Sequence, residues 1–369
     1  MAKYTVAVMG LGVRGKIHIS GLLGNPASYE ITGLCDINTQ TMHDVAEKFG
    51  LQSVPQFTDA EEMLAAVRPD VFVFVTYPSM RLSLIKLAVK YGVKAVSLEK
   101  PMAESLQEAK EMVTLCRAHN IKAVVCHQQK YLSQFQSMKK RIDEGEIGEV
   151  RKIHVETQAW FSQLGTHYVD YMLWANGGHR AKWVCGHAHG PVTLDDNHPA
   201  PDYLMGTVEM DNGVHGYIEC GYLAEAHNPP MYASSDNRLT VYGSEGYVYA
   251  ETDGFWGACT KATNGRLVTG KDPGWRNHQQ IPIQTPYYTE FAAWLDDDAK
   301  VHSCNIDVAY HGYEILEGMC LSALDNVRVD LPITDITYQP VIERMRTELP
   351  PCGTEGRIVS VKIPPYERD

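Results

Sequence analysis

A β-forming run, Tyr4–Met9, ends in Gly10–Leu11–Gly12–Val13–Arg14–Gly15, and a helical stretch near 14–24 follows at once. Glycines at this spacing permit a tight turn, a close approach of backbone to an anionic group, and tight packing of the helix on the strand. Such a loop between strand and helix restricts the start of the chain to a βαβ unit in a parallel sheet. Further apolar runs at Glu30–Cys35, Val71–Thr76, Val93–Leu98 and Lys122–Cys126 alternate with helical stretches near 40–49, 59–67, 80–91 and 105–118. Val71–Phe72–Val73–Phe74–Val75 is apolar on both faces, as a central parallel strand covered by helices must be. Thr58-x-x-Glu61 and Ser105-x-x-Glu108 read as capping boxes opening two of the helices.

A glycine loop alone is weak evidence of a ligand. Asp36 closes the second strand, 21 residues after Gly15, where a carboxylate accepts hydrogen bonds from adenosine ribose hydroxyls. The helix after the loop presents unpaired N–H groups and a positive dipole end to a pyrophosphate. Loop, strand, spacing and acid together predict a dinucleotide site. The carboxylate at Asp36 repels a 2′-phosphate, so NAD is expected rather than NADP, with Arg14 softening that preference. Glu99–Lys100–Pro101 follows the Val93–Leu98 run, at the carboxyl edge of the sheet where ligands of doubly wound folds bind.

The pattern changes after about residue 127. A helix over 131–143 and the turn Gly145–Glu146–Ile147–Gly148 lead into a long alternating strand, Val150–Trp160. Strand-like segments follow near 180–188, 203–210, 214–221, 238–242 and 247–251, with Asp211–Asn212–Gly213 as a hairpin turn. Helices near 286–298 and 306–325 come next, and Val329–Asp330–Leu331–Pro332 ends the domain. The stretches 190–201 and 253–280 read as long loops of the kind that carry specificity. The expectation is an α/β protein: a Rossmann doubly wound parallel sheet over 1–126, then an α/β domain with a large, mostly antiparallel open sheet over 127–369. At 369 residues the chain exceeds what one core usually holds, which agrees with two domains.

The formal net charge of −12, with no Lys/Arg cluster, argues against a nucleic-acid partner. No apolar run reaches membrane-spanning length, so no membrane partner is expected. The start runs directly into a strand, leaving no room for a signal peptide, and nine scattered cysteines without a Cys-x-x-Cys pair fit reduced thiols. A cytoplasmic location is therefore expected. His187-x-His189 and Asp195–Asp196–Asn197–His198 offer metal-ligand residue types but no identifiable full ligand set. Hydride transfer to NAD needs no metal, and none is expected.

Taken together, Gly10-x-Gly12-x-x-Gly15, Asp36 and Glu99–Lys100–Pro101 resemble the glucose–fructose oxidoreductase / inositol dehydrogenase / rhizopine-catabolism (Gfo/Idh/MocA) family. Later landmarks resemble it in the same order: Gly145–Glu146–Ile147–Gly148–Glu149–Val150, Gly165-x-His167-x-x-Asp170, the hairpin ending at Gly221, Val241–Tyr242–Gly243–Ser244–Glu245–Gly246 and Val329-x-Leu331–Pro332. The resemblance covers nearly the whole chain. It implies that the sheet of the second domain covers the nicotinamide and often mediates oligomerisation, so a homo-oligomer, dimer or tetramer, is expected.

The resemblance also implies a catalytic helix. Gly165–Thr166–His167–Tyr168–Val169–Asp170 reads as a helix start capped by Thr166, with His167, Asp170 and Trp174 on one face. An imidazole suits proton removal from a secondary alcohol. His167 is thus expected as acid/base and Lys100 as the group that orients the hydroxyl and stabilises developing alkoxide charge. Asp170 either orients His167 or points to the sheet and serves packing. Many family members carry an Asp where this chain has Gln163, which can position a sugar hydroxyl but cannot raise imidazole basicity, so Lys100 or Tyr168 can share the proton work.

Other candidates come from position in the fold. Thr76–Tyr77–Pro78, Glu99 and His127 lie where the cofactor is expected, beside the glycine-loop residues Gly10, Gly12, Val13, Arg14 and Gly15. His127 and Lys130 are pocket residues or domain-junction packing. Gln158 and Trp160 face the sugar or the core. Tyr287–Tyr288 and Tyr310–His311 read most simply as helix packing, with substrate contact by Tyr310 or His311 as the lesser alternative. The expected activity is NAD-dependent oxidation of a secondary hydroxyl on a sugar, glycoside or cyclitol. The alternatives are NAD-dependent glycoside cleavage through transient oxidation, and a non-catalytic dinucleotide-binding regulator.

Overall fold

A computed structural model describes residues 3–158, 161–195, 199–224, 227, 237–275 and 279–350, with the side chains of Phe161 and Gln163 outside the description. The chain divides into two compact units: residues 1–131 with 278–310, and residues 132–277 with 311–369.

The first unit opens with β1 (Tyr4–Met9), α1 (Val13–Leu23), β2 (Tyr29–Cys35), α2 (Thr39–Phe49), β3 (Gln56–Phe57), α3 (Ala60–Val67) and β4 (Val71–Phe74). It continues through α4 (Arg81–Lys90), β5 (Ala95–Leu98), α5 (Leu106–Ala118) and β6 (Lys122–Val125). The strands form one parallel sheet in the order β3-β2-β1-β4-β5-β6. All four residues of β4 are fully buried, the reason its run is apolar on both faces. The order reverses between β1 and β4, the switch point at which open α/β sheets bind ligands.

Two helix starts test the capping signals. Ser105 caps α5 as expected, accepting from Glu108 N at 3.2 Å, while the Glu108 carboxylate reaches back to Glu104 N. Thr58 does not cap α3; Asp59 does, through Glu62 N at 2.9 Å. A carboxylate one residue on supplies the same acceptor and adds negative charge at the dipole's positive end.

The second unit carries α6 (Ser133–Asp143), β7 (Val150–Thr157), α7 (Thr166–Ala175), β8 (Ala181–His189), β9 (Tyr203–Met210), β10 (His215–Gly221), β11 (Asn237–Gly243) and β12 (Tyr247–Glu251). Then follow β13 (Phe255–Cys259) and β14 (Val268–Lys271). Helix α8 (Gln284–Asp296) returns to the first unit, before α9 (Ile306–Asp325), β15 (Val329–Asp330) and α10 (Val341–Glu348). The nine-stranded sheet has the order β14-β13-β12-β11-β7-β10-β9-β8-β15. It is antiparallel except that β10 runs parallel to β7.

Three expectations change here. The stretch 253–280 is not all loop, because β13 and β14 pair within it. Their short runs, interrupted by Gly257 and Gly270, lack the alternation that marks a strand in sequence. The domain does not end at Pro332 either, since α10 follows within the same unit. Thr166 does not cap α7, because residues 161–165 already form a wide helical turn that runs into it.

One face of this sheet, with Ile153, Val155, Val208, Ile218, Leu239 and Val241, is buried under helices. Met172 of α7 lies against Gly216 and Met319 of α9 against Gly206. The other face presents Lys152, His154, Met205, Tyr217, Tyr242 and Tyr247, partly or largely exposed. No helix among the described residues is long and apolar enough to cross a membrane.

Candidate active site: the cofactor cradle and the His167 helix

The three glycines of the loop differ in what demands them. A Cβ at Gly10, whose φ is 84°, would sit 2.2 Å from Val75 O, and one at Gly15 would sit 2.0 Å from Gly10 O. Both are glycine because the turn and the helix–strand approach exclude anything larger. A Cβ at Gly12 would meet nothing within 4 Å. Nothing among the described residues excludes a side chain there, so the open approach is room for a ligand against the backbone. Gly12 also leads α1 without a side-chain cap, leaving helix N–H groups to an anion. Val13 is 74% exposed beside them.

Asp36 is set by the same loop. Its Oδ2 accepts from Leu11 N at 2.7 Å and its Oδ1 from Asn38 N at 2.9 Å. A carboxylate has further lone pairs, so this one is oriented yet still able to take two ribose hydroxyls. At the next loop, Pro78 is buried in a short turn and Tyr77 is 65% exposed. The buried Thr76 hydroxyl has no hydrogen-bond partner among the described residues. An open glycine, an oriented acid and an unsatisfied hydroxyl around one switch point fit a dinucleotide.

Beneath the loop lies a charge network only partly visible in the sequence. Arg14 reaches Glu99 Oε1 at 2.8 Å, and His18 Nε2 reaches the same oxygen at 3.1 Å. His18 Nδ1 lies 2.7 Å from the Tyr288 hydroxyl of α8. Burial opposes the Glu99 charge, yet Arg14, His18 and Lys100 hold the carboxyl well below its ordinary value. Burial lowers the His18 value in turn, against the pull of Glu99. An ionised carboxylate only accepts, so His18 donates from Nε2 and takes the Tyr288 O–H at Nδ1. The network is thus Arg⁺–carboxylate–neutral imidazole–phenol. Burial pushes the Lys100 ammonium down to about 8; Glu99 opposes the change and Arg14 and Arg81 reinforce it. Lys100 therefore titrates within reach of working pH, a property shared by many catalytic lysines.

Arg81 is one of the residues that sequence reasoning missed. Only 2% exposed, it donates from one terminal nitrogen to Thr76 O at 2.6 Å and to Lys100 O at 3.4 Å. It ties the loop after β4 to the loop after β5, and so fixes the backbone that carries Lys100. Position just after a proline turn gives no signal of this. His18 was missed as well, although it lies four residues after Arg14 on α1, a spacing that puts both on one helix face.

Other candidates resolve differently. His127 is 3% exposed. Lys130 is 1% exposed, and its ammonium donates to Ser303 O at 3.0 Å. That contact is compatible with either of the two roles the sequence allowed. Gln158 donates to Ala224 O at 3.3 Å, just past the end of β7. Trp160 lies outside the described residues, as does the Gln163 side chain.

In the second unit, α7 buries His167 and Asp170, 2% and 0% exposed. Tyr171, one turn on, meets His167 Nδ1 at 2.9 Å, a partner the His-x-x-Asp pattern did not reveal. The Tyr168 hydroxyl donates to Asn237 Oδ1 and lies 2.9 Å from the Thr252 hydroxyl. His311 accepts from Ala181 N at 2.8 Å and pairs with Glu314 at 3.0 Å, so it braces β8 against α9. His189 meets Tyr222 at 3.0 Å, and Asp195 pairs with Arg346; Asp196, Asn197 and His198 lie outside the described residues.

Comparison with known proteins agrees with this anatomy. The model of an oxidoreductase family with NAD-binding Rossmann fold matches residues 4–127, and that of the GFO/IDH/MocA C-terminal domain matches 135–249. D-apiose dehydrogenase of Paraburkholderia graminis is 29% identical over 147 residues, 40% of this chain and 38% of that protein. The chain thus spans about two fifths of the length of the first curated relatives it matches. Inositol 2-dehydrogenase/D-chiro-inositol 3-dehydrogenase of Shouchella clausii is 23% identical over 90% of this chain and 96% of its own. Among solved structures, levoglucosan dehydrogenase in complex with NADH and levoglucosan superposes with a TM-score of 0.75 at 17% identity, covering 90% of this chain and all of that one.

Proposed function

We propose, from the premise that this chain belongs to the Gfo/Idh/MocA oxidoreductase family with its NAD-binding Rossmann fold, that it oxidises a secondary hydroxyl of a sugar, glycoside or cyclitol. Relatives named for apiose, inositols and levoglucosan support that substrate class. The Gly10–Gly15 loop and the α1 N-terminus hold the pyrophosphate, Asp36 holds the adenosine ribose, and Thr76–Pro78 packs against the remainder. When bound, NAD supplies the hydride acceptor at nicotinamide C4.

The observation that carries the reading is Lys100. It stands at the carboxyl edge of β5 with its ammonium lowered to about 8. As a cation it holds the substrate oxygen and stabilises developing alkoxide charge. His167 takes the hydroxyl proton, with Tyr171 fixing its ring through Nδ1. Asp170 is its positioning neighbour on α7. Glu99, anionic between Arg14 and His18, keeps a compensating charge beside Lys100. Copies of the chain pair through the open face of the nine-stranded sheet, where Met205 and Tyr217 are 44% and 40% exposed.

The test is a panel of aldoses, inositols and glycosides with NAD, followed at the reduced nicotinamide band. Turnover on at least one polyol, with NAD preferred over NADP, is the expected result. Release of aglycone from a glycoside without net reduced cofactor would replace the reading with glycoside cleavage. No turnover across the panel would replace it with a binding role.

A further inference from the structure

The open face of the second unit carries a side-chain cluster that hydride transfer does not use. Strands β7 and β10 run parallel and in register, with Glu219 beside Glu156 and Tyr217 beside His154. His154 and Glu156 alternate on the same face of β7, and Glu219 joins them from β10. One ligand atom from each of His154, Glu156 and Glu219 lies within 4.8 Å of the others. His227, which follows β10, brings its Nε2 to 3.2 Å from Glu156 Oε2, while His154 Nε2 stands 3.9 Å from Glu156 Oε1.

From these four residues we propose a divalent-cation site of the zinc class, two imidazoles and two carboxylates on the open sheet face. Ligand atoms of a tetrahedral zinc with bonds of about 2.0–2.1 Å stand about 3.4 Å apart. The two His–Glu separations, each to a different Glu156 oxygen, fall on either side of that spacing. The donor set selects the metal: imidazoles with carboxylates suit zinc and its neighbours, whereas magnesium and calcium take oxygen donors. Outer contacts orient the ligands as metal sites require. The Tyr203 hydroxyl donates to Glu219, and the His154 ring packs edge-on against Tyr217 at 6.1 Å.

The register supplies the physical motive. Two carboxylates side by side on neighbouring strands repel, and Glu156 is only 6% exposed, with little water to screen it. The nearest cation across the sheet reaches Glu156 through its field and gives its hydrogen bonds elsewhere. Arg238, opposite Glu156 on β11, turns both Nε and a terminal nitrogen onto Glu251. A cation among His154, Glu156, Glu219 and His227 resolves the repulsion.

The experiment strips the full-length protein with a chelator and titrates it with Zn(II), and separately with Co(II) as a spectroscopic probe. One ion per chain is expected, with a visible cobalt spectrum and no thiolate charge-transfer band. His154→Ala and His227→Ala should each weaken binding by at least about tenfold, and Glu219→Gln by a similar factor. Zinc should raise the melting temperature of the parent more than that of the histidine variants. The metal-free variants must melt cooperatively near the parent; if His154→Ala does not, His154→Gln and His227→Ala decide. Absence of binding, a thiolate band pointing to the cysteines, or undiminished binding in both histidine variants overturns the site.

Discussion

The six-stranded and nine-stranded sheets of this chain make opposite use of sequence proximity. In the parallel sheet four strands, β1, β2, β4 and β5, each present candidate site residues at the carboxyl end, in loops a few residues long: Gly10–Gly15, Asp36, Thr76–Pro78, Lys100. In the larger sheet β7 lies between β10 and β11, strands that follow it by scores of residues, and its cross-strand neighbours decide what its side chains meet. Chemistry in the first unit is therefore written in short motifs, and in the second it is assembled by register.

Substitutions can test how far that division reaches into catalysis. The largest effect is expected at His167: His167→Ala should lower kcat by about 10²–10⁴, the usual worth of a general acid/base. Lys100→Ala should cost about 10²–10³ through lost oxyanion stabilisation. If Lys100→Ala costs far more than His167→Ala in steady-state assays, the proton work belongs to the lysine, and the first unit holds the chemistry alone. Asp36→Ala should weaken NAD by about tenfold, the worth of one or two charged hydrogen bonds, while leaving NADP less affected. Titration of both cofactors by fluorescence checks this, and an unchanged NAD/NADP ratio would remove Asp36 from the ribose.

The smallest effect concerns pH. Below about 8 Lys100 is an ammonium; above it the neutral amine cannot stabilise an alkoxide, so kcat/KM should fall as pH rises through about 8. Arg81 contributes to the lowering, so Arg81→Met should move that alkaline limb upward by less than about one pH unit. The size-matched substitution keeps the buried volume, and an unmoved limb would reduce Arg81 to a loop brace.

Legibility followed the same division. The glycine loop, Asp36 and Lys100 stand where the sequence placed them, because a strand–turn–helix unit fixes its own geometry. The bounds of β1 and β9 are also as read from the sequence. Thr58 and Thr166 misled, each for a local reason: a better acceptor one residue on, and a helical turn already under way. Lys130, buried just after β6, meets the carbonyl of Ser303, a partner 173 residues distant that no local pattern signals. Tyr171 was missed although it stands four residues after His167 on one helix face; Arg81 and the His154 cluster were invisible for one reason in common. Each derives its meaning from a partner that no motif connects to it.

The first unit is discontinuous, and that bears on the order in which the protein is made. Tyr288, which completes the His18–Glu99 network, lies 270 residues beyond His18. At about 5–20 residues per second, a ribosome delivers it on the order of 10 to 50 s after His18. Through that interval the nascent cofactor domain has its phosphate loop but lacks the helix that covers the far side of α1. The cofactor unit, first in sequence, is thus among the last parts of the chain to mature.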